Sequence, residues 1–292
     1  MAQLLRKAAI PFGMVISILA ILIFGRTEAL LMMPGTTPEA YLAGMPYKMI
    51  SLLGKEGELI QPSSTFLVYF LGILILAAGS YFVATRKWEK SRAAWGVGLI
   101  LWGLGALVAG TSYQAFGYEL KCRGRPLCLF TSDFELVYLL LTAWSINFLV
   151  AATGYSSASS KLRKGMVIFS VVDSAAYTVM LLLGAIIPVR FLVSYEGFMA
   201  FIGVNFLLMF GVNVLEYRKE RDKLNRNMIV VWIGFLLVNL GYFAALFSGY
   251  APSLYESYGL WFNENDVLHF LLVIWAVMGF LLLRKPLVDL KE

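Results

Sequence analysis

Charge, histidine and cysteine are all scarce in this sequence. Asp, Glu, Lys and Arg together make up 14% of its 292 residues, where soluble domains carry about 25%. So little charge cannot supply the polar surface that a core needs in water, which excludes a soluble enzyme. A single histidine excludes the multi-histidine zinc centres. Two cysteines exclude a disulfide-dense scaffold. No glycine-every-third-residue repeat is present, and long apolar runs exclude intrinsic disorder. Hydrophobic residues are what the chain has in abundance, at 60%, with a mean hydropathy of +0.76.

Their distribution predicts an all-α, polytopic transmembrane helix bundle. About 20 apolar residues cross the hydrocarbon of a bilayer, and a helix satisfies its own backbone there. Eight stretches qualify, near 8–25, 66–84, 93–112, 133–153, 165–187, 197–215, 228–247 and 266–283. The first follows the basic segment Met1–Lys7 and reads as an uncleaved signal anchor, a cleaved signal peptide being the alternative. Residues 26–65 then form an outer loop, 66–283 a seven-helix core, and 284–292 a tail.

Placing the N-terminus in the cytoplasm puts the dense basic clusters on one side. These are Arg6 and Lys7, Arg86 to Arg92, Lys161 to Lys164, Arg218 to Arg226, and Arg284, Lys285 and Lys291. Such clustering follows the positive-inside rule, sets both termini in the cytoplasm and suits a bacterial inner membrane. The net charge of +6 is therefore a topology signal and not a nucleic-acid footprint. Membrane lipids are the expected surroundings.

Within the outer loop, Tyr41, Leu42, Met45, Met49, Leu52 and Leu53 recur at helical spacing, predicting an amphipathic helix on the outer leaflet, over a lateral entrance or as a connector. Cys122 and Cys128 share one short outer loop, Lys121-Cys-Arg-Gly-Arg-Pro-Leu-Cys128, and predict a disulfide. Glycines 96, 98, 103, 105 and 110 mark the third span as a central, closely packed helix.

Polar residues inside the spans are the site candidates. Asp173 lies well inside the fifth span, sharing a helical face with Ser170, Ser174 and Tyr177. Asn205 and Asn213 on the sixth span, and Asn239 and Tyr242 on the seventh, are its expected partners. They serve either a proton or cation step or the interhelical hydrogen bonding of a structural bundle.

A second constellation lies at the outer ends of three helices, in Gly110-Thr-Ser-Tyr-Gln-Ala-Phe116, Ser132-Asp-Phe-Glu-Leu-Val-Tyr138 and Asn263-Glu-Asn-Asp-Val-Leu-His269. Glu135, Tyr138, Thr142 and Ser145 form a stripe leading inward. His269 with Asp266 and Glu135 or Asp133 makes a mixed zinc or other divalent site, which would activate a water. Asp133, Glu135, Glu264 and Asp266 make an all-oxygen calcium site. Without metal, His269 beside Asp266 is a general base. The competing structural reading is helix capping, with acids complementing the helix dipole.

At these residues the chain resembles the CREST superfamily of seven-span membrane proteins, which includes alkaline ceramidases and adiponectin-type receptors. Ser112 resembles the family serine, Asp133 or Glu135 its acid, and His269 one of its late histidines. The resemblance implies a metal-assisted hydrolase of a lipid or amphiphile, with Ser112, Gln114, Glu135, Asp266 and His269 catalytic. Departures are Phe116 in place of a histidine, with Gln114 the nearest polar substitute, and Asn265 and Val273 flanking His269 in place of a second histidine. The alternative is a small-molecule or ion transporter, or a lipid-binding protein without catalysis. The topology is checked by a fluorescent-protein fusion to the C-terminal tail. Fluorescence in the cytoplasm is expected, and an alkaline phosphatase fused to the 121–128 loop is expected to be active.

Overall fold

The structure is a computed structural model and describes residues 2–52 and 54–290, setting aside the side chains of residues 2–12, Leu52 and Lys55. Met1, Leu53 and Lys291 of the sequence expectations lie outside it, as do the side chains of Arg6 and Lys7. Helices α1 (Ala2–Phe24), α2 (Pro38–Ala43), α3 (Pro62–Ala84), α4 (Lys90–Ala109), α5 (Gly117–Lys121), α6 (Asp133–Ser157), α7 (Ser160–Ile186), α8 (Tyr195–Glu220), α9 (Lys223–Ser248), α10 (Tyr250–Tyr258) and α11 (Glu264–Leu283) account for almost all regular structure. Among the described residues, seven helices are long and apolar enough to span a membrane: α3, α4 with its continuation to Ala115, α6, α7, α8, α9 and α11. They are the expected seven-helix core. The chain is an all-α, multi-pass integral membrane protein. Of α1, Gly13–Phe24 is the described apolar part, and its Ile21 is buried with Leu181 and Ala185 of α7.

The 26–65 segment departs from its expected helix. Thr37 caps α2 by accepting the Ala40 amide, but the helix stops at Ala43. Gly44 and Pro46 follow; proline has no amide to donate and disfavours helix at the residue before it. The chain then forms an antiparallel hairpin of β1 (Tyr47–Leu52) and β2 (Lys55–Ile60), turning at Gly54 with φ +78°. Tyr41 and Leu42 thus belong to α2, and Met49 to a strand.

Helix α4 is the hub. Gly79 and Gly96 face each other across α3 and α4, as do Gly72 and Gly103, so closely that a Cβ on Gly103 would lie 2.8 Å from the Gly72 carbonyl oxygen. Gly98 and Gly105 perform the same service toward α6, against Ser145 and Thr142. Two glycine stripes with a seven-residue repeat thus seat two neighbours on one helix. In a bilayer, where no hydrophobic effect drives helices together, such close packing does so. The ring then closes through α6, α8, α9 and α11 back to α3, with α7 beside α6. An aromatic layer fills its middle: Trp95, Trp102, Phe206, Trp232, Phe235 and Trp275, with ring centroids 5.1 Å apart for Trp102 and Trp275.

The bundle has two unlike faces. On one, the segment after α11 folds back as a strap. Asp289 accepts the Lys90 and Ser91 amides at 3.0 and 2.7 Å, capping α4. The Leu290 amide donates to the Tyr155 carbonyl. Buried Arg92 donates to the Arg284 and Leu287 carbonyls and to Thr85, with its guanidinium over Phe82. On the other face lie the hairpin and the Cys122–Cys128 disulfide, formed as expected. Gly103→Ala is expected to lower unfolding stability in bicelles by about 1–3 kcal/mol through overpacking. Gly211→Ala, where an added methyl meets nothing within 4 Å, is expected to leave it unchanged.

Candidate functional site

Two polar assemblies lie among the spans, and a third set of acids lies at the helix ends of the disulfide face. Those acids are each engaged locally. Asp133 accepts the Thr27 hydroxyl at 3.1 Å. Glu135, 1% exposed, pairs with Lys121 at 2.8 Å. Asp266 closes a capping box on α11: Asn263 accepts the Asn265 and Asp266 amides, and Asp266 accepts the Asn263 amide at 2.9 Å. Its Oδ1 is buried without a hydrogen-bond partner. His269 lies one turn further along α11 with Nδ1 buried and unpartnered.

The expected zinc or other divalent set of His269, Asp266, Asp133 and Glu135 therefore does not assemble. Among the described residues, no three His, Cys, Asp or Glu side chains converge to hold a metal. Sequence spacing placed these groups at one depth, but each neighbouring element supplies a nearer partner. The His269–Asp266 dyad does not form either, since the imidazole Nδ1 bonds no carboxylate. Ser112 donates to the Ala109 carbonyl at 3.3 Å, and the Gln114 carbonyl oxygen is buried and unpartnered.

Ser112 and Gln114 sit on a π-helical turn, Gly110–Ala115, that ends α4. An i→i+5 turn displaces side chains from the helical register, a geometry common at functional sites. This turn aims Tyr113 at Tyr138 of α6, their rings perpendicular with centroids 6.0 Å apart. Tyr138 reaches Phe198 of α8, against which Tyr177 and Tyr195 also pack. Tyr242 neighbours Glu264 and Glu196. Tyr113, Tyr138, Tyr195 and Tyr242 thus form a tyrosine cluster toward the disulfide-side end of the bundle. Tyr113, Tyr138 and Tyr242 face the bundle interior yet keep partial exposure. None of the four hydroxyls bonds another protein group among the described residues.

The Lys121–Glu135 pair underpins one side of the cluster. Burial disfavours the Lys121 charge, but the Glu135 carboxylate and the Tyr41 phenol more than compensate and hold its ammonium above the ordinary value. The ammonium also lies over the Tyr113 ring, 5.2 Å from its centroid. Above it, Arg123 bridges Glu119 of α5 and Glu58 of β2, tying the hairpin down. A cleft of about 470 Å³ opens beside the hairpin, between Met45, Pro46 and Tyr47 on one side and Pro252, Tyr255 and Trp261 on the other.

The second assembly surrounds Asp173. Its Oδ2 accepts Nδ2 of Asn147 at 2.8 Å and of Asn205 at 3.0 Å. Asn205 is an expected partner; Asn147, a lone amide in the fourth predicted span and part of α6, is one the sequence pattern does not single out. The other expected partners go elsewhere. Asn213 bonds Ser157, Asn225 and Trp232 nearer the strap. Asn239 donates to the Phe235 carbonyl of its own helix. Tyr242 belongs to the tyrosine cluster. Tyr177 packs against Phe198 and Phe201 with its hydroxyl unpartnered.

No protein-family model matches the chain, and no curated protein matches it. Removing one member of the buried pair strands the other, so Lys121→Met or Glu135→Leu alone is expected to cost about 3–5 kcal/mol of stability. The double variant is expected to recover most of that loss in a double-mutant cycle read by unfolding in bicelles.

Proposed function

We propose that this protein binds a small amphiphile at the tyrosine cluster, from the face bearing the disulfide, and that this face is extracytoplasmic. The observation carrying the reading is a set of interior phenols that bond no other protein group and keep partial exposure. Phenols in an apolar wall offer a guest an aromatic surface and a hydrogen-bonding tip at once. Glu196 and Glu264 border the cluster, and its one nearby lysine is already paired with Glu135. That balance favours a neutral or cationic headgroup over an anionic one, through cation–π contact with the tyrosines. Binding or transport suits this arrangement better than the metal-assisted hydrolysis implied by the CREST resemblance, because the metal-ligating set does not converge.

Thermal stability of the purified protein tests the reading, with a long-chain amine set against a fatty acid of equal length. The amine is expected to raise the melting temperature and the fatty acid to leave it unmoved. Tyr138→Phe and Tyr242→Phe each remove one hydroxyl contact worth about 1 kcal/mol, so about five-fold weaker amine binding is expected from each. Equal affinity in wild type and both variants would overturn the assignment of the site.

A further inference from the structure

Asp173 sits near the middle of α7, about halfway through a 27-residue helix. Hydrocarbon makes an unmatched carboxylate costly there, so such a group normally has a partner. No lysine, arginine or histidine supplies one among the described residues. Helix α6 contains no basic residue, those of α7 cluster at residues 161–164, and those of α8 lie at Arg218 and Lys219. Helix α1, which packs on α7, has no ionisable side chain between Gly13 and Phe24. The acids of α6 and α8 also stand at helix ends, as Asp133, Glu135, Glu196, Glu216 and Glu220, and Tyr177 is the phenol nearest in sequence on α7.

Two asparagine amides stand beside Asp173 instead. One carboxylate oxygen of Asp173 accepts both asparagine amides, which fixes the carboxylate between α6, α7 and α8. Asn205 is fully buried, and its carbonyl oxygen has no partner. A buried unpaired amide oxygen is rare in native structures and marks an acceptor waiting for a donor or a cation. Asn147, whose amide also donates to Asp173, has its own carbonyl oxygen taken by the Asn205 amide at 3.1 Å, so the Asn205 oxygen is the free acceptor of the cluster.

We propose that the Asp173 carboxylate and the Asn205 amide oxygen form a mid-membrane binding site for one monovalent metal cation, sodium being the ion of matching chemistry. A single carboxylate neutralises one positive charge and leaves a divalent ion undercompensated. Carboxylate and amide oxygens are donors that hard cations take. The site is separate from the tyrosine cluster and stands whether or not an amphiphile binds there. It joins three helices, so occupancy would brace α7 and α8 against α6.

Equilibrium binding of radioactive sodium to the detergent-purified wild-type protein is the test. One saturable site per chain is expected, with about ten-fold weaker binding in Asp173→Asn and a smaller loss in Asn205→Ala. Sodium chloride is also expected to raise the melting temperature of the wild type above its value in choline chloride at equal ionic strength, and to do so less in Asp173→Asn. No saturable sodium binding to the wild type would overturn the proposal, even if both variants failed to fold. A stabilisation that depends on pH and not on sodium, and is lost in Asp173→Asn, would assign the site to a proton and equally overturn it.

Discussion

The architecture depends on backbone touching backbone along α4. Lipid chains are as apolar as leucine, so burying leucine between helices gains little in a membrane, and close van der Waals contact must supply the attraction. Glycine at 72, 79, 96 and 103 removes the methyl groups that would hold α3 and α4 apart, and Gly98 and Gly105 do so toward α6. Once these three helices are fixed, the π-turn at the end of α4 and the tyrosine stripe of α6 are brought face to face. Gly110 contributes too: Val68 of α3 occupies the space its side chain would take.

Charge is handled differently at the two ends of the bundle and in its middle. On the disulfide face every acid expected to do chemistry already has a structural engagement, with a threonine, a lysine or a helix N-terminus. On the strap face the buried Arg92 donates from its two terminal nitrogens to carbonyls and a hydroxyl, with no carboxylate among these partners. Asp173 is the exception, holding two amide donors and no cation among the described residues. Tyr113, Tyr138, Tyr195 and Tyr242 are exceptional in the opposite sense, being uncharged with hydroxyls that bond no other protein group among the described residues.

The seven core helices were legible because hydrocarbon imposes length and composition on any segment that crosses it. The disulfide was legible from two cysteines six apart, and the centrality of α4 from its glycines. Partner choice was not legible. Asn205 and Asn213 share a face but stand about 12 Å apart along the axis, enough to send them to separate clusters. The hairpin stayed hidden because Tyr41 to Leu53 is apolar at helical spacing as well as being interrupted by Gly44 and Pro46. The metal set failed for a related reason: i, i+3 and i, i+4 spacing shows what shares a helix face, never what stands opposite it.

The strap reverses the usual order of helix completion. The first-turn amides of α4 find their acceptor in Asp289, 199 residues further along the chain, so a ribosome finishes the hub helix long before it makes the cap. Until residues 284–290 emerge, the end of α4 lacks its capping carboxylate and Arg92 lacks its two carbonyls. A nascent chain that stalls anywhere in α7 to α11 therefore displays an unfinished hub on that face. Truncation would be sensed far from the cut, at a helix translated in the first half of synthesis.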